Sequence, residues 1–77
     1  MAAVKKSTIV VAFGTAARTA RNEQGHSQEA FAAMIGIDRS YYGAIERGEF
    51  NPSLDMILRI ADGLSMRVGD LMRRAQL

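Results

Sequence analysis

The chain has 77 residues, no cysteine and one histidine, and its ten Lys/Arg against eight Asp/Glu leave a net charge of +2. A chain this long is expected to form one domain, residues 1–77, which buries only about 60% of its unfolded surface and so gains from association. The composition excludes a disulfide framework and a cysteine-based zinc site, and the apolar run Ile9–Phe13 is too short to span a bilayer.

Charge placement says more than net charge. Residues 1–48 carry six Lys/Arg and four Asp/Glu, whereas residues 49–77 carry four of each. That excess suits a polyanion partner, although a solvated surface has similar charges. Residues 1–6 lack periodicity and are expected to fray. Lys5 and Lys6 there are a candidate arm toward a phosphate backbone. The apolar run after them gives way to Gly14, Thr15 and Arg18, so no signal peptide is expected and the location reads as cytoplasmic.

Ser7 or Thr8 is placed to cap a first helix. Ile9, Phe13, Ala16, Ala17 and Ala20 recur at helical spacing as its buried face. Its end is expected near Gln24, with Gly25 as the stop signal. Ser27 caps a second helix opened by Gln28 and Glu29, and His26 can staple onto Phe31. No other His or Cys joins His26, so neither a metal role nor a catalytic role is expected for it.

The stretch Gln28–Arg47, QEAFAAMIGIDRSYYGAIER, organises the chain. Phe31, Ile35 and Ile37, then Tyr42 and Ile45, close the inner faces of two short helices. Gly36 lies between them, where a helix ends in a left-handed residue. Asp38 caps the helix that follows, flanked by Ile37 and Tyr42 at staple spacing. Ala32 is small enough to permit a close crossing. Together these features specify a helix-turn-helix over residues 28–47.

The third helix should stop at Gly48. Pro52 keeps Glu49–Pro52 a loop, and Ser53 caps a fourth helix with an apolar stripe of Leu54, Ile57, Leu58, Ile60, Ala61 and Leu64. Ser65–Arg67 break it, and Val68, Leu71 and Met72 mark a fifth helix. Arg73 and Arg74 near its end suit the helix dipole. No stretch reads as a strand pair. The expected fold is an all-α, five-helix bundle.

One ordered set of residues resembles a known family. It runs from Phe13–Gly14 through Arg21, Gly25, Ser27–Gln28–Glu29, Ala32, Gly36, Arg39–Ser40, Ile45–Gly48 and Asn51–Leu54 to Ala61 and Leu64. This set resembles the Cro/lambda-repressor-type (XRE-like) DNA-binding regulators of bacteria and phages. Within that family, DRSYYGAIER is most similar to the controller proteins of restriction–modification systems. The resemblance implies a homodimer on double-stranded operator DNA, with the third helix in the major groove and the second across the phosphates. It also implies a partly buried ion pair between Arg21 and Glu46. Four residues depart from the family pattern: His26, Tyr42, Arg67 at a cap position and Gly69. The buried Tyr42 hydroxyl needs a partner or a route to solvent.

With Tyr42 and Ile45 inward, Arg39, Ser40, Gly43, Ala44 and Arg47 are left outward or flanking. A helix in the major groove reads bases with its N-terminal residues. Arg39 can pair with guanine, Ser40 can bond several bases, and small Gly43 and Ala44 let the helix sit deep, with Ala44 near a thymine methyl. Ser27, Gln28, Tyr41, Arg47 and Asn51 are the candidate contacts to the DNA backbone. Phe50, Met66, Met72 and Leu77 are the candidate dimer surface. An antitoxin that binds a toxin partner as well as DNA is the alternative, disfavoured by the lack of a toxin-binding tail. No enzyme, cofactor, metal or small-molecule ligand is expected, and regulation should act through protein concentration.

Overall fold

The computed structural model describes residues 8–77. Over that span the chain forms five helices: α1 (Thr8–Glu23), α2 (Gln28–Ile35), α3 (Arg39–Glu46), α4 (Leu54–Gly63) and α5 (Val68–Arg74). No strand occurs among the described residues. The expected fray and arm at residues 1–6, and the capping role of Ser7, lie outside them.

Local chemistry sets the boundaries. The Ser27 hydroxyl accepts the Ala30 N–H at 3.0 Å, and Ser53 does the same for Met56 at 3.1 Å. Asp38 accepts the N–H groups of Ser40 and Tyr41 at 2.9 and 3.2 Å, satisfying two orphan donors at the start of α3. Gly36 stands at φ 76°, and the Ile37 N–H reaches back to the Ala32 carbonyl at 3.0 Å. That is a left-handed stop with its return hydrogen bond, strained for any residue with a Cβ. Arg67 opens α5 with no side-chain cap bond, the consequence of an Arg where Ser would cap.

Helix α1 packs on α3 and α5, α2 on α3 and α4, and α4 on α5. The core joins Phe13, Ala17 and Ala20 to Phe31, Ala32, Tyr42, Ile45, Ile60, Leu64 and Leu71. Phe31 and Tyr42 meet at ring centroids 5.2 Å apart, and the His26 ring centroid stands 6.0 Å from that of Phe31 in a tilted contact. The phase of α1 follows expectation at Phe13, Ala16, Ala17 and Ala20, which are all buried, and departs from it at Ile9. Ile9 is 59% exposed, and Val10 turns inward in its place. The run IVVAF has no polar side to say which of its first residues turns inward, and the buried side of α1 is Val10, Phe13, Gly14, Ala16, Ala17, Ala20 and Arg21. In α4 the expected stripe is too wide. Ile60, Ala61 and Leu64 are buried, but Leu54 and Leu58 face out.

Candidate nucleic-acid interface

The polar centre beneath the helix-turn-helix is Glu46, buried to 1% exposure at the end of α3. Arg21 of α1 donates to it through Nε at 2.7 Å and Nη2 at 2.9 Å, a two-bond fork. Arg18 lies one turn earlier, with Nε 3.6 Å from the same carboxylate. Gln28, the first residue of α2, donates through Nε2 to Glu46 Oε1 at 2.9 Å. One carboxylate therefore ties α1, α2 and α3 together. Burial pushes its pKa up, but hydrogen bonds led by Arg21 outweigh this and hold it below its ordinary 4.5. The spare Arg21 Nη1 donates to the His26 carbonyl at 2.9 Å, fixing the turn into α2.

The Tyr42 hydroxyl is buried beside this pair with no hydrogen-bond partner of its own. Burial and the Glu46 carboxylate push its pKa far up, so it stays neutral.

Above this centre, the outer face of the α2–α3 unit is exposed at Ser27, Arg39, Ser40 and Arg47, and partly exposed at Gln28 and Tyr41. Arg39 and Ser40 stand at the N-terminal end of α3, held there by the Asp38 cap. Asn51 is exposed on the loop after α3. Gly43 lies beneath two polar side chains. A Cβ there would sit 3.1 Å from Nη1 of Arg47 and 3.2 Å from Oε1 of Gln28.

A helix-turn-helix family profile matches residues 18–71. The chain belongs to the helix-turn-helix family. Control protein C.MunI of a Mycoplasma species is 41% identical over 64 residues, which cover 82% of this chain and 86% of that protein. The restriction-modification controller protein C.AhdI of Aeromonas hydrophila superposes with a TM-score of 0.81 at 42% identity, over 84% of this chain and 98% of that one. A controller tetramer, C.Esp1396I in complex with its natural 35-base-pair operator, shares the fold with a TM-score of 0.79 at 24% identity, over 92% of this chain and 99% of that one. The resemblance read from DRSYYGAIER is thereby borne out.

In this helix-turn-helix chain, two candidate base readers are misplaced by the sequence. Ala44 is only 5% exposed, because the chain turns back at Gly48 and the Glu49 N–H bonds the Ala44 carbonyl at 2.9 Å. Its methyl faces the protein and not a groove. Gly43 is covered by Gln28 and Arg47 and offers no surface to a base. Of the candidate dimer surface, Phe50 and Leu77 are exposed, and Met66 and Met72 are partly buried, with part of each side chain packed against the core. The fold brings two further charged residues into this network, Arg18 to Glu46 and Glu49 to Arg47. Arg18 is signalled by its i, i+3 spacing to Arg21. Glu49 has no such signal, because its meeting with Arg47 depends on the turn at Gly48.

The described residues contain no group of three His, Cys, Asp or Glu that could hold a metal ion, and no helix among them is long and apolar enough to cross a membrane.

Proposed function

We propose that the chain is a sequence-specific transcription regulator that binds a palindromic operator as a homodimer, in the manner of a restriction–modification controller protein. The observation that carries this reading is the exposure of Arg39 and Ser40 at the free N-terminal end of α3. They stand on the same outer face as Gln28, which Glu46 anchors. Arg39 reads a guanine edge and Ser40 adds a less discriminating base contact. Ser27, Gln28, Tyr41, Arg47 and Asn51 hold the phosphates and fix the register. The kinship with controller proteins supports the assignment.

The test starts from duplexes selected by the protein out of a random library. Arg39→Ala should weaken the selected duplex by about 1–3 kcal/mol and relax one base position in each half-site. Equal weakening on selected and scrambled duplex would remove Arg39 from base reading. Failure to enrich any sequence would overturn the function itself.

The dimer surface we assign is the face of Phe50, Leu54 and Leu58, which are 50%, 70% and 47% exposed at four-residue intervals. Its occupant is a second copy. The face adjoins the DNA side, since Phe50 meets Tyr41 edge-on with ring centroids 5.4 Å apart. Pairing there fixes the distance between two α3 helices, as half-sites one turn or about 34 Å apart require. Leu58→Glu should give a monomer by sedimentation and markedly weaken binding to the palindrome. A dimer that persists would place the interface elsewhere.

A further inference from the structure

Arg47 ends α3 on the face where Gln28 lies, and its guanidinium is already engaged. Nε donates to Glu49 Oε2 at 3.0 Å, and Nη2 to Glu49 Oε1 at 3.1 Å. One edge of the guanidinium is thus filled by a carboxylate, in the two-bond arrangement that a phosphate also takes. The remaining nitrogen, Nη1, lies over the bare Gly43 beside the Gln28 amide. Backbone geometry delivers the carboxylate. Gly48 turns at φ 77°, and the Glu49 N–H is tied to the Ala44 carbonyl. Two long side chains are not left to find each other. Both are about half exposed, at 51% and 44%, so DNA can reach the pair. The hydrogen bonds that Arg47 donates to Glu49 hold its pKa above the ordinary value, so the cation stays charged.

We propose that Glu49 is a specificity-determining residue: its carboxylate stands in for a DNA phosphate on Arg47 and lowers binding to non-operator DNA more than binding to operator. The proposal rests on the DNA-binding function above. Non-specific binding is almost wholly a matter of cations displacing counterions from phosphates. A loosely seated complex offers Arg47 no fixed phosphate to offset the loss of Glu49. The ion pair therefore persists there, and the carboxylate repels the DNA. On the operator, base contacts at the start of α3 hold the helix in one register. Gln28 and Arg47 then meet a phosphate at a fixed position, and the guanidinium transfers from carboxylate to phosphate.

The experiment is a double-mutant cycle with Glu49→Gln and Arg47→Ala, titrated with selected and scrambled duplex at several salt concentrations. Both side chains are exposed, so the variants should keep the fold, as an unchanged thermal midpoint would verify. Glu49→Gln should tighten scrambled duplex about two- to fivefold, the competition that an exposed ion pair can offer. It should steepen the salt slope by up to about 0.9. The gain on selected duplex should be smaller, so the discrimination ratio falls. In the Arg47→Ala background the competition is gone, so these changes should shrink to the weak screened repulsion of one exposed carboxylate. The proposal is overturned by no gain on scrambled duplex, by an equal gain on both duplexes, or by a gain that survives undiminished in the Arg47→Ala background. Each of those results is obtained with a protein that binds DNA, and so is distinct from a failure to enrich any sequence.

Discussion

Glu46→Ala should cost about 3–5 kcal/mol of folding stability, the penalty for breaking a buried ion pair by removing one partner. The reason is what remains. Arg21 is buried, with only the His26 carbonyl and Asn22 Oδ1 left to receive its protons. An uncompensated charge would then stand among α1, α2 and α3. Domains of this kind are stable by only about 5–15 kcal/mol, so the loss is a large part of the total. In thermal terms it should lower the midpoint by more than about 10 °C. The measurement is chemical denaturation of Glu46→Ala, Arg21→Met and the double variant. Replacing both partners removes the stranded charge, so the double variant should recover much of the loss. Additive losses without coupling would reject the pair as the tie between helices.

The same pair sets an acid limit. The Glu46 pKa is depressed in the folded chain, below the ordinary 4.5. The unfolded chain therefore binds the proton first as pH falls. The stabilisation is fully present above about 4.5 and is lost progressively as pH drops through the folded value. Glu46→Ala should flatten this part of the stability profile. Affinity for DNA should fall with it, because Gln28 loses the acceptor that holds its amide.

The turn chemistry was legible because it is local. Ser27, Asp38 and Ser53 cap with their own side chains, and Gly36 stops α2 by its own φ, so no distant contact is needed to predict them. The exposed position of Arg39 and Ser40 at the start of α3 was legible for the same reason, since they follow directly on a cap. Partners, and the first turn of α1, were harder to read. Val10 is buried and Ile9 exposed, a choice between adjacent apolar residues that periodicity at a helix start treats alike. Leu54 and Leu58 look like core until the width of the core is known. Ala44 and Gly43 read as a small outer face, yet the return of the chain at Gly48 covers one and two polar side chains cover the other. The Arg47–Glu49 pair needs the turn itself. Local rules thus give the elements and the start of α3, while tertiary contacts decide which apolar and small residues meet solvent.

Gly14→Ala should destabilise the fold by about 1–3 kcal/mol, and Gly14→Val by more, although each replaces a poor helix former in mid-helix. Propensity alone predicts the opposite sign, a gain of roughly 1 kcal/mol for Ala. Geometry decides. A Cβ at Gly14 would lie 2.5 Å from the carbonyl oxygens of both Ile45 and Glu46, and 2.8 Å from the Glu46 carbonyl carbon. These are backbone atoms at the end of α3, and no side-chain rotation relieves the clash. α1 must move away from α3, with the strain and repacking that overfilling a core brings. That movement also lengthens the reach from Arg21 to Glu46, because both pairs of residues bridge the same two helices. The effects of Gly14→Ala and Glu46→Ala should therefore be less than additive. DNA binding should weaken with stability, since the end of α3 carries both Glu46 and Arg47. The measurement is urea denaturation of the two single variants and the double. A Gly14→Ala protein as stable as the parent would mean that α1 and α3 do not approach this closely, and full additivity would mean that the glycine contact and the ion pair act independently.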